Sequence, residues 1–388
     1  DSPDTFFAQA QADYPDAPVW VGEMYLEFHR GTYTTQVANK QGNRRCEHLL
    51  MEAELWWSTA ALRAGADYPY DAIDQLWREV LLEQFHDILP GSSIRWVHRE
   101  SRQHYADLIA RLEALITQAL GLLAAANPAT QDGLAATQVL ANPAPHPQHG
   151  VPGFGAAVPE AATPAPVVTG PDPYRLDNGL LRVSLAGDGT IASIVDLAAE
   201  RELVPAGARA NLLQLHPDHP NQYEAWDLDD FYRNRVTDLT GLDEIRAEAN
   251  EVVVTRSFEQ SRVTQRLRLE PGLPRLDIRT EVDWHQRERL LKLAFPFDLH
   301  AIEARSEIQF GYVTRPTHQN TSWDAAKFEI AAQRWVHVGE GSYGVAVLNR
   351  GTYGHDISHP AQGDSRGGLP TTVRLSLVRG PLYPDPCA

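Results

Sequence analysis

The sequence predicts an α+β protein of more than one domain, in which a three-helix bundle is followed by a large antiparallel β-sandwich. Residues 44–125 repeat apolar side chains at steps of three and four, which is the helical period. From residue 174 onward, short alternating segments are separated by turn residues, which is typical of antiparallel strands. The length of 388 residues exceeds what one compact domain usually needs, so we expect at least two domains.

Three apolar stripes define the helices of the predicted middle domain, 44–126. The first stripe ends near Gly65, and the second is stopped by the Pro90-Gly91 pair, because proline cannot continue the backbone hydrogen bonds of a helix. The third stripe follows Ser92 or Ser93, either of which can cap a helix. Short connections between three helices predict a small bundle.

Residues 127–173 contain ten of the chain's 27 prolines, together with ten alanines and five glycines. Such a composition does not hold a helix and predicts a linker with one or two edge strands. The linker leads into a predicted β-domain over 174–388. We assign 1–43 to the tail end of a preceding domain and an entry loop.

The β-domain begins with clear strand and turn signals. Residues 180–185 alternate in polarity and are followed by Asp188-Gly189, a dipeptide that favours hairpin turns. Further short strands are predicted at 252–254, 263–269 and 276–282. Many short strands at this spacing indicate an antiparallel sandwich and argue against a βαβ fold.

Composition excludes several classes of partner. The formal net charge of −17 disfavours nucleic acid and anionic membrane surfaces. No unbroken apolar run reaches the eighteen or so residues of a membrane helix, and no secretory leader is visible. The only two cysteines, Cys46 and Cys387, lie at opposite ends of the chain, which favours a reducing, cytoplasmic compartment. Because the chain starts at Asp1 without an initiator Met, we expect it to be processed or part of something longer.

A neighbouring His86 and Asp87 lie where an apolar helix is broken by Pro90-Gly91. A helix end fixes their backbone while the break lets both side chains project into a cleft. Imidazole is a good zinc ligand, and a carboxylate can hold a sugar hydroxyl or orient a ligand. The alternative is a histidine at a helix C-terminus beside a capping aspartate.

An upstream segment places His29, Arg30 and Tyr33 around Gly31. An imidazole, a guanidinium and a phenol together suit a polyhydroxylated ligand, which needs flat surfaces and convergent donors. An ordinary solvated loop is the alternative.

Several motifs occur together in one order. They are His29-Arg30-Gly31-Thr32-Tyr33-Thr34, Asn43-Arg44-Arg45, Gln84-Phe85-His86-Asp87-Ile88-Leu89-Pro90-Gly91, and residues 176–183, 225–229, 315–329, 343–346 and 383–386. With this order and spacing, nearly the whole chain resembles the middle and C-terminal parts of a glycoside hydrolase family 38 α-mannosidase, closest to the bacterial and cytosolic branch. For the β-domain, the resemblance implies a galactose-mutarotase-like supersandwich.

The resemblance implies a zinc-dependent retaining enzyme that hydrolyses terminal α-D-mannosyl residues of oligosaccharides. In such enzymes one carboxylate attacks the anomeric carbon and a second protonates the leaving oxygen. By motif, His86 corresponds to a zinc ligand and Asp87 to the adjacent substrate-binding aspartate. Substrate contacts are also expected from further residues of the matching motifs: His29, Arg30, Trp226, Asp227 and Asp229.

The family's catalytic domain precedes the helical region and supplies the nucleophile, the general acid and the other zinc ligands. It is expected to be missing here, so we expect no catalytic residue in this chain, an abrupt end in the β-domain, and no activity of the chain alone. His216-Pro217-Asp218-His219 and Gly354-His355-Asp356 contain other His and Asp combinations, but their place in the β half argues against metal ligation.

Two other hypotheses remain open. The chain is alternatively a non-catalytic carbohydrate-binding or assembly module, supported by nine Trp and thirteen Tyr, although Trp56, Trp57 and Trp77 lie on helical stripes and are expected in the core. A different sugar hydrolase or phosphorylase with a similar sandwich is the third possibility, and the order of the motifs argues against it. Reading the gene upstream of Asp1 separates the enzyme from the module.

Overall fold

The computed structural model of the chain describes residues 2–126, 139–158, 166–359 and 370–387. Five helices are present in these ranges: α1 Pro3–Asp13, α2 Val37–Ala64, α3 Tyr70–Glu83, α4 Arg95–Ala126 and α5 Ser322–Ala326. Two short 3-10 segments, Glu27–His29 and Gly31–Tyr33, precede α2, and a third, Asp230–Asn234, lies among the strands. Helices followed by several antiparallel sheets confirm the α+β prediction at this level.

Helices α2, α3 and α4 pack around one hydrophobic core. The apolar stripes of the sequence supply it, and its largest members are Leu49, Leu50, Trp56, Trp57, Leu76, Tyr105, Leu108 and Leu112. Trp56 and Trp57 are buried as predicted, and half-buried Trp77 donates its indole N–H to Glu54 at 2.8 Å. Each fully buried Leu contributes roughly 1.5–3 kcal/mol relative to an exposed one, so this core holds the three helices together.

By length and composition alone, helix α4 is long and apolar enough to cross a membrane. The sequence prediction missed this because it considered only unbroken apolar runs. A core helix meets the same criterion. Here Tyr105, Leu108, Leu112 and Ile116 are buried in the core shared with α2. Packing between helices therefore accounts for one face of α4, and 22% of its apolar 18-residue window is buried.

Twenty-one strands are described. They are β1 Leu140–Asn142, β2 Gly155–Ala157, β3 Val167–Thr169, β4 Arg175–Asp177, β5 Leu181–Leu185, β6 Ile191–Asp196, β7 Arg201–Glu202, β8 Leu212–Pro217, β9 Thr237–Asp238, β10 Glu244–Glu248, β11 Glu251–Phe258, β12 Ser261–Leu269, β13 Leu276–Asp283, β14 Arg289–Phe297, β15 Glu303–Ile308, β16 Gly311–Pro316, β17 Ile330–Ala331, β18 Trp335–Glu340, β19 Tyr343–Leu348, β20 Gly354–Ser358 and β21 Thr371–Arg379. The predicted hairpin turn at Asp188-Gly189 joins β5 and β6, and Gly189 has a φ of +74°.

The strands form antiparallel sheets. A six-stranded sheet has the order β17-β20-β21-β14-β8-β9, and a five-stranded sheet runs β3-β4-β5-β6-β7. Two four-stranded sheets, β10-β11-β12-β13 and β16-β15-β18-β19, and the β1-β2 pair complete the set. Strand β21 has a neighbour on both sides, and alternating residues of the larger sheets share one apolar core.

Several predicted boundaries differ from the structure. Helix α2 begins at Val37 and not at residue 44. The prediction missed its first turns because the side chains buried there, Asn39, Lys40 and Asn43, are polar and do not show an apolar period. Helix α3 ends at Glu83, before the Pro90-Gly91 break, and the intervening residues form turns.

The start of α4 differs from the prediction in a second way. The backbone N–H of Arg95 donates to the Asp385 carboxylate at 2.9 Å, whereas the predicted cap Ser92 donates its hydroxyl to Asp87 at 2.7 Å. A residue distant in sequence thus takes the capping place that the local pattern assigned to a serine.

The predicted linker carries more strand structure than expected. Its described part contains β1, β2 and β3, and β3 pairs with β4 of the five-stranded sheet. The rest of the linker prediction, over 127–138 and 159–165, lies outside the described residues.

Candidate functional site

The turn after α3 exposes His86. The His86 side chain is 76% exposed, and its Nε2 lies 3.6 Å from an Asp87 carboxylate oxygen. The Phe85 ring packs against the imidazole at a centroid distance of 4.2 Å. Asp87 is held by the hydroxyl of Ser92, so one of its oxygens is fixed while the side chain stays partly accessible. The predicted His-Asp pair is therefore at the surface and available to bind a ligand.

A buried lysine holds the backbone of this turn after His86. The Lys40 Nζ donates to the carbonyls of Thr35, Leu89 and Pro90, and the side chain is only 2% exposed. Burial, together with the nearby Arg379 charge, lowers the pKa of Lys40 to about 7. All three ammonium donors are used, so Lys40 joins the entry loop to the turn that carries His86.

The entry loop, residues 29–35, is bonded to the segment around Trp226. The backbone N–H groups of Gly31 and Thr32 donate to the Trp226 carbonyl at 2.8 and 3.2 Å. The Thr35 hydroxyl lies 2.9 Å from the Ala225 carbonyl. Two segments that are far apart in sequence thus form one surface beside the His86 turn.

Gly31 is required at this junction because there is no room for a side chain. A Cβ built on Gly31 would lie 1.9 Å from Nη1 of Arg379 and 2.6 Å from the Asp227 carbonyl oxygen. The Arg379 guanidinium is itself held by two hydrogen bonds of 2.8 Å to the Asp218 carboxylate, and both side chains are 1% exposed. The loop therefore rests on a buried ion pair of the β-region.

Arg30 is buried and already engaged. Its guanidinium donates to the Ala326 carbonyl at 2.9 Å and lies over the Phe328 ring at 4.3 Å. Asp227, 8% exposed, is 3.7 Å away, and burial raises the pKa of its carboxyl. In this structure Arg30 joins the entry loop to the β-region, and its predicted sugar contact stays a prediction.

Three aromatic side chains meet next to the entry loop. The Trp226 ring centroid lies 6.3 Å from that of Tyr223 and 6.1 Å from that of Tyr383. Tyr223 and Tyr383 are at least half exposed, and Trp226 is half-buried. The ring planes are inclined, by 81° between Trp226 and Tyr223 and by 44° between Trp226 and Tyr383, so each ring offers a separate apolar face on which a sugar ring can stack. The sequence analysis selected only Trp226 of the three.

The two remaining predicted residues border the same surface. The Asp229 carboxylate accepts the backbone N–H of Asn221 at 2.7 Å, which orders the segment after Trp226. His29 is half-buried, and its Nδ1 has no hydrogen-bond partner among the described residues. The structure therefore brings the predicted residues to a connected set of segments, with His86, Asp87 and the aromatic cluster as its accessible groups.

The described residues do not make a metal site by themselves. Within them, no group of three or more His, Cys, Asp or Glu side chains is placed to hold a metal ion. The two weaker motifs have other roles, since Asp218 pairs with Arg379 and Asp356 lies 2.7 Å from Lys292 Nζ. His86 and Asp87 provide fewer ligands than a four-coordinate zinc ion needs.

Sequence reasoning missed the residues that assemble this surface, namely Lys40, Arg379 and Asp218. One signal was available for Lys40, because only three lysines occur in the chain. Arg379 and Asp218 are 161 positions apart, and no local pattern connects them.

The fold and the site define a class of protein. Residues 27–123 match the family described as "Alpha mannosidase middle domain", and residues 176–387 match "Glycosyl hydrolases family 38 C-terminal domain". The chain therefore belongs to glycoside hydrolase family 38, and its two matched regions are the middle and C-terminal domains of that family. The alternative of a different sugar hydrolase or phosphorylase with a similar sandwich is excluded.

Individual relatives agree with this assignment. The human protein "Alpha-mannosidase 2C1" is 35% identical over 417 residues, an alignment that covers the whole of this chain and 39% of the human protein. "Alpha-mannosidase" of Saccharomyces cerevisiae is 32% identical over 395 residues, covering 95% of this chain and 34% of the yeast protein. The chain thus spans about two fifths or less of the length of these relatives.

Solved structures support the fold. The crystal structure of an alpha-mannosidase from Enterococcus faecalis V583 superimposes with a TM-score of 0.72 at 14% identity, covering 98% of this chain and 56% of that one. At this identity the likeness concerns the fold alone.

Proposed function

We propose that this chain forms the middle and C-terminal parts of a zinc-dependent retaining α-mannosidase that hydrolyses terminal α-D-mannosyl residues of oligosaccharides. The observation that carries the proposal is the exposed His86 imidazole on a turn whose backbone is fixed by buried Lys40. A rigid backbone below an accessible ligand side chain is the arrangement that metal and substrate binding require.

In this proposal His86 supplies one zinc ligand, and the remaining ligands and both catalytic carboxylates come from the family's catalytic domain. Large apolar side chains are exposed around the turn, among them Phe28, Phe85, Ile94 and Trp96. Exposed apolar surface of this kind marks a contact with another protein surface. It supports a catalytic domain that packs over this face of the chain.

The substrate side of the proposal is a mannose-containing oligosaccharide. Asp87 offers a partly fixed carboxylate, and the ring cluster of Tyr223, Trp226 and Tyr383 offers a stacking surface. His29, Arg30, Asp227 and Asp229 are proposed to contact or position the sugar.

Three finer points belong to the same proposal. The helices form a family-type three-helix bundle, and the β-region is a galactose-mutarotase-like supersandwich. The protein belongs to the bacterial and cytosolic branch and is cytoplasmic. The location is supported by the two free cysteines, since Cys46 is buried and Cys387 is exposed, and neither is disulfide-bonded.

The test compares hydrolysis of an aryl α-mannoside by the purified 388-residue chain and by the full-length product of its gene. The account expects no turnover by the chain alone and turnover by the full-length product. Zinc-dependent turnover by a homogeneous sample of the chain would overturn the proposal that the catalytic carboxylates and the other zinc ligands come from a separate domain. Sugar binding without turnover by the full-length product would favour a carbohydrate-binding module.

A further inference from the structure

A polar cavity lies against the six-stranded sheet of the β-region. Its volume is about 610 Å³, which is within the range of small-molecule sites. Residues of β8, β14, β20 and β21 line it, and the 3-10 segment Asp230–Asn234 and residues 317–319 form its walls. Phe328 also lines it and packs against Arg30, so the cavity adjoins the entry loop.

Buried charges form a balanced group at the sheet. Lys292 Nζ contacts Glu329 at 2.5 Å and Asp356 at 2.7 Å, and Arg374 contacts Asp356 at 2.9 Å. Although burial opposes ionisation, Lys292 and Arg374 lower the pKa of Asp356 to about 2. Two cations thus face two carboxylates.

The charges on the wall of the cavity are also paired. Asp230 and Arg233 form an ion pair at 3.8 Å. A cavity whose charges are already paired gives little attraction to a strongly charged ligand. Its lining therefore favours a neutral polar molecule.

Two side chains of the lining retain unused hydrogen-bonding capacity. His216 is 5% exposed, and its Nδ1 lies 3.2 Å from the Arg235 carbonyl, which can only accept. The proton therefore sits on Nδ1 and leaves Nε2 as an acceptor, and this buried atom has no partner among the described residues. Arg374 uses Nε and Nη1, whereas no hydrogen bond of Nη2 is found in the described part of the chain.

An unused acceptor and an unused donor in one cavity match a hydroxyl group, which donates one hydrogen bond and accepts others. Amide and hydroxyl groups of Gln319, Asn234 and Ser358 add further partners of the same kind. A neutral ligand that presents several hydroxyls is a saccharide.

We propose that this cavity binds a neutral saccharide unit, so that the β-region carries a sugar site of its own. The proposal goes beyond the α-mannosidase function, because it requires only residues of this chain. It gives the β-region a means of holding a second part of a branched or extended glycan.

The test is a calorimetric titration of the full 388-residue chain with α-1,2-mannobiose. Asn234 is exposed on the wall, and Asn234→Trp would fill the cavity without disturbing the core. We expect this variant to weaken binding by at least about tenfold. Gln319→Trp tests a second lining position and is expected to act in the same way.

Gln260→Trp is the matched control, because Gln260 is an exposed amide in the turn between β11 and β12. We expect Gln260→Trp to keep the affinity within about twofold. Absence of mannobiose binding, or binding that both wall variants leave intact, overturns the proposal. Binding lost in Trp226→Ala alone also overturns it and leaves the α-mannosidase proposal standing. Tighter binding of mannose 6-phosphate than of mannobiose would contradict a neutral ligand.

Discussion

Asp218 and Arg379 form a buried bidentate ion pair that supports the entry loop from below. Both hydrogen bonds measure 2.8 Å, and each side chain is 1% exposed. Arg379 also reaches the Thr35 hydroxyl at 3.3 Å, and its Nη1 occupies the space where a side chain at Gly31 would lie. The end of β21 thus determines where the entry loop lies.

Replacing Arg379 by Met should destabilise the protein by about 3–5 kcal/mol, because the Asp218 charge would be left buried without a partner. Urea unfolding measures the change. The matched control is Arg279→Met, which breaks an exposed pair with Glu281 and should cost no more than about 1 kcal/mol. Equal losses in the two variants would show that the buried pair does not hold the loop.

Replacing Gly31 by Ala should destabilise the protein by about 1–3 kcal/mol, since the added methyl overlaps Arg379 and the Asp227 carbonyl. Gly121→Ala is the control, because Gly121 lies in α4 with nothing within 4 Å of the added Cβ. That change should stabilise by about 0.5–1 kcal/mol. Thermal unfolding of both variants measures whether each change raises or lowers the stability. A stabilising Gly31→Ala would contradict the close packing.

Replacing Lys292 by Met should cost about 3–5 kcal/mol, because Glu329 and Asp356 would face each other without their shared cation. Lys327→Met makes the same chemical change at a half-exposed position and should cost less than about 1 kcal/mol. Denaturant unfolding compares the two variants. If Lys292→Met lowers the free energy of unfolding no more than Lys327→Met does, the result would be incompatible with the buried charge group.

The histidines His216 and His355 should make the protein sensitive to acid. Burial, with the Lys292 charge, lowers the pKa of each to about 4 from 6.5. Between these pH values the unfolded chain binds a proton at each histidine that the folded chain does not bind, so stability falls as the pH decreases. Each histidine adds at most about 1.4 kcal/mol per pH unit to this slope.

Urea unfolding between pH 6.5 and pH 4 measures that slope. His355→Gln should flatten it, whereas His146→Gln, at an exposed position, should leave it as in the unmodified chain. Parallel slopes for His355→Gln and the unmodified chain would contradict a neutral, buried His355.

Local patterns in the sequence predicted the local structure well. The apolar stripe before Gly65 ended where α2 ends, because a residue with a φ of +63° is readily accommodated by glycine. The Asp188-Gly189 turn was also predicted correctly, because Gly189 has a φ of +74°, which glycine readily adopts. The start of α2 was missed because its buried residues there are polar, and an apolar period does not report them.

The candidate site was predictable only in part. His86 and Asp87 stood out because a histidine and an aspartate next to a helix break form a local signal. Lys40, Asp218 and Arg379 act through tertiary contacts, and Asp218 was weighed only within a His-Pro-Asp-His sequence. The pairing of residues 161 positions apart depends on the order of strands in a sheet, which single-sequence periodicity does not contain.

The central claim is that His86 serves the active site of an α-mannosidase, and hydrolysis of an aryl α-mannoside by the full-length gene product tests it most directly. His86→Asn should lower kcat/KM by at least about 100-fold and reduce bound zinc, since loss of a ligand should cost no less than loss of a supporting group. His104→Asn, which changes a partly exposed histidine on α4, should keep both values close to those of the unmodified enzyme. Full activity and full zinc content in His86→Asn would contradict the account.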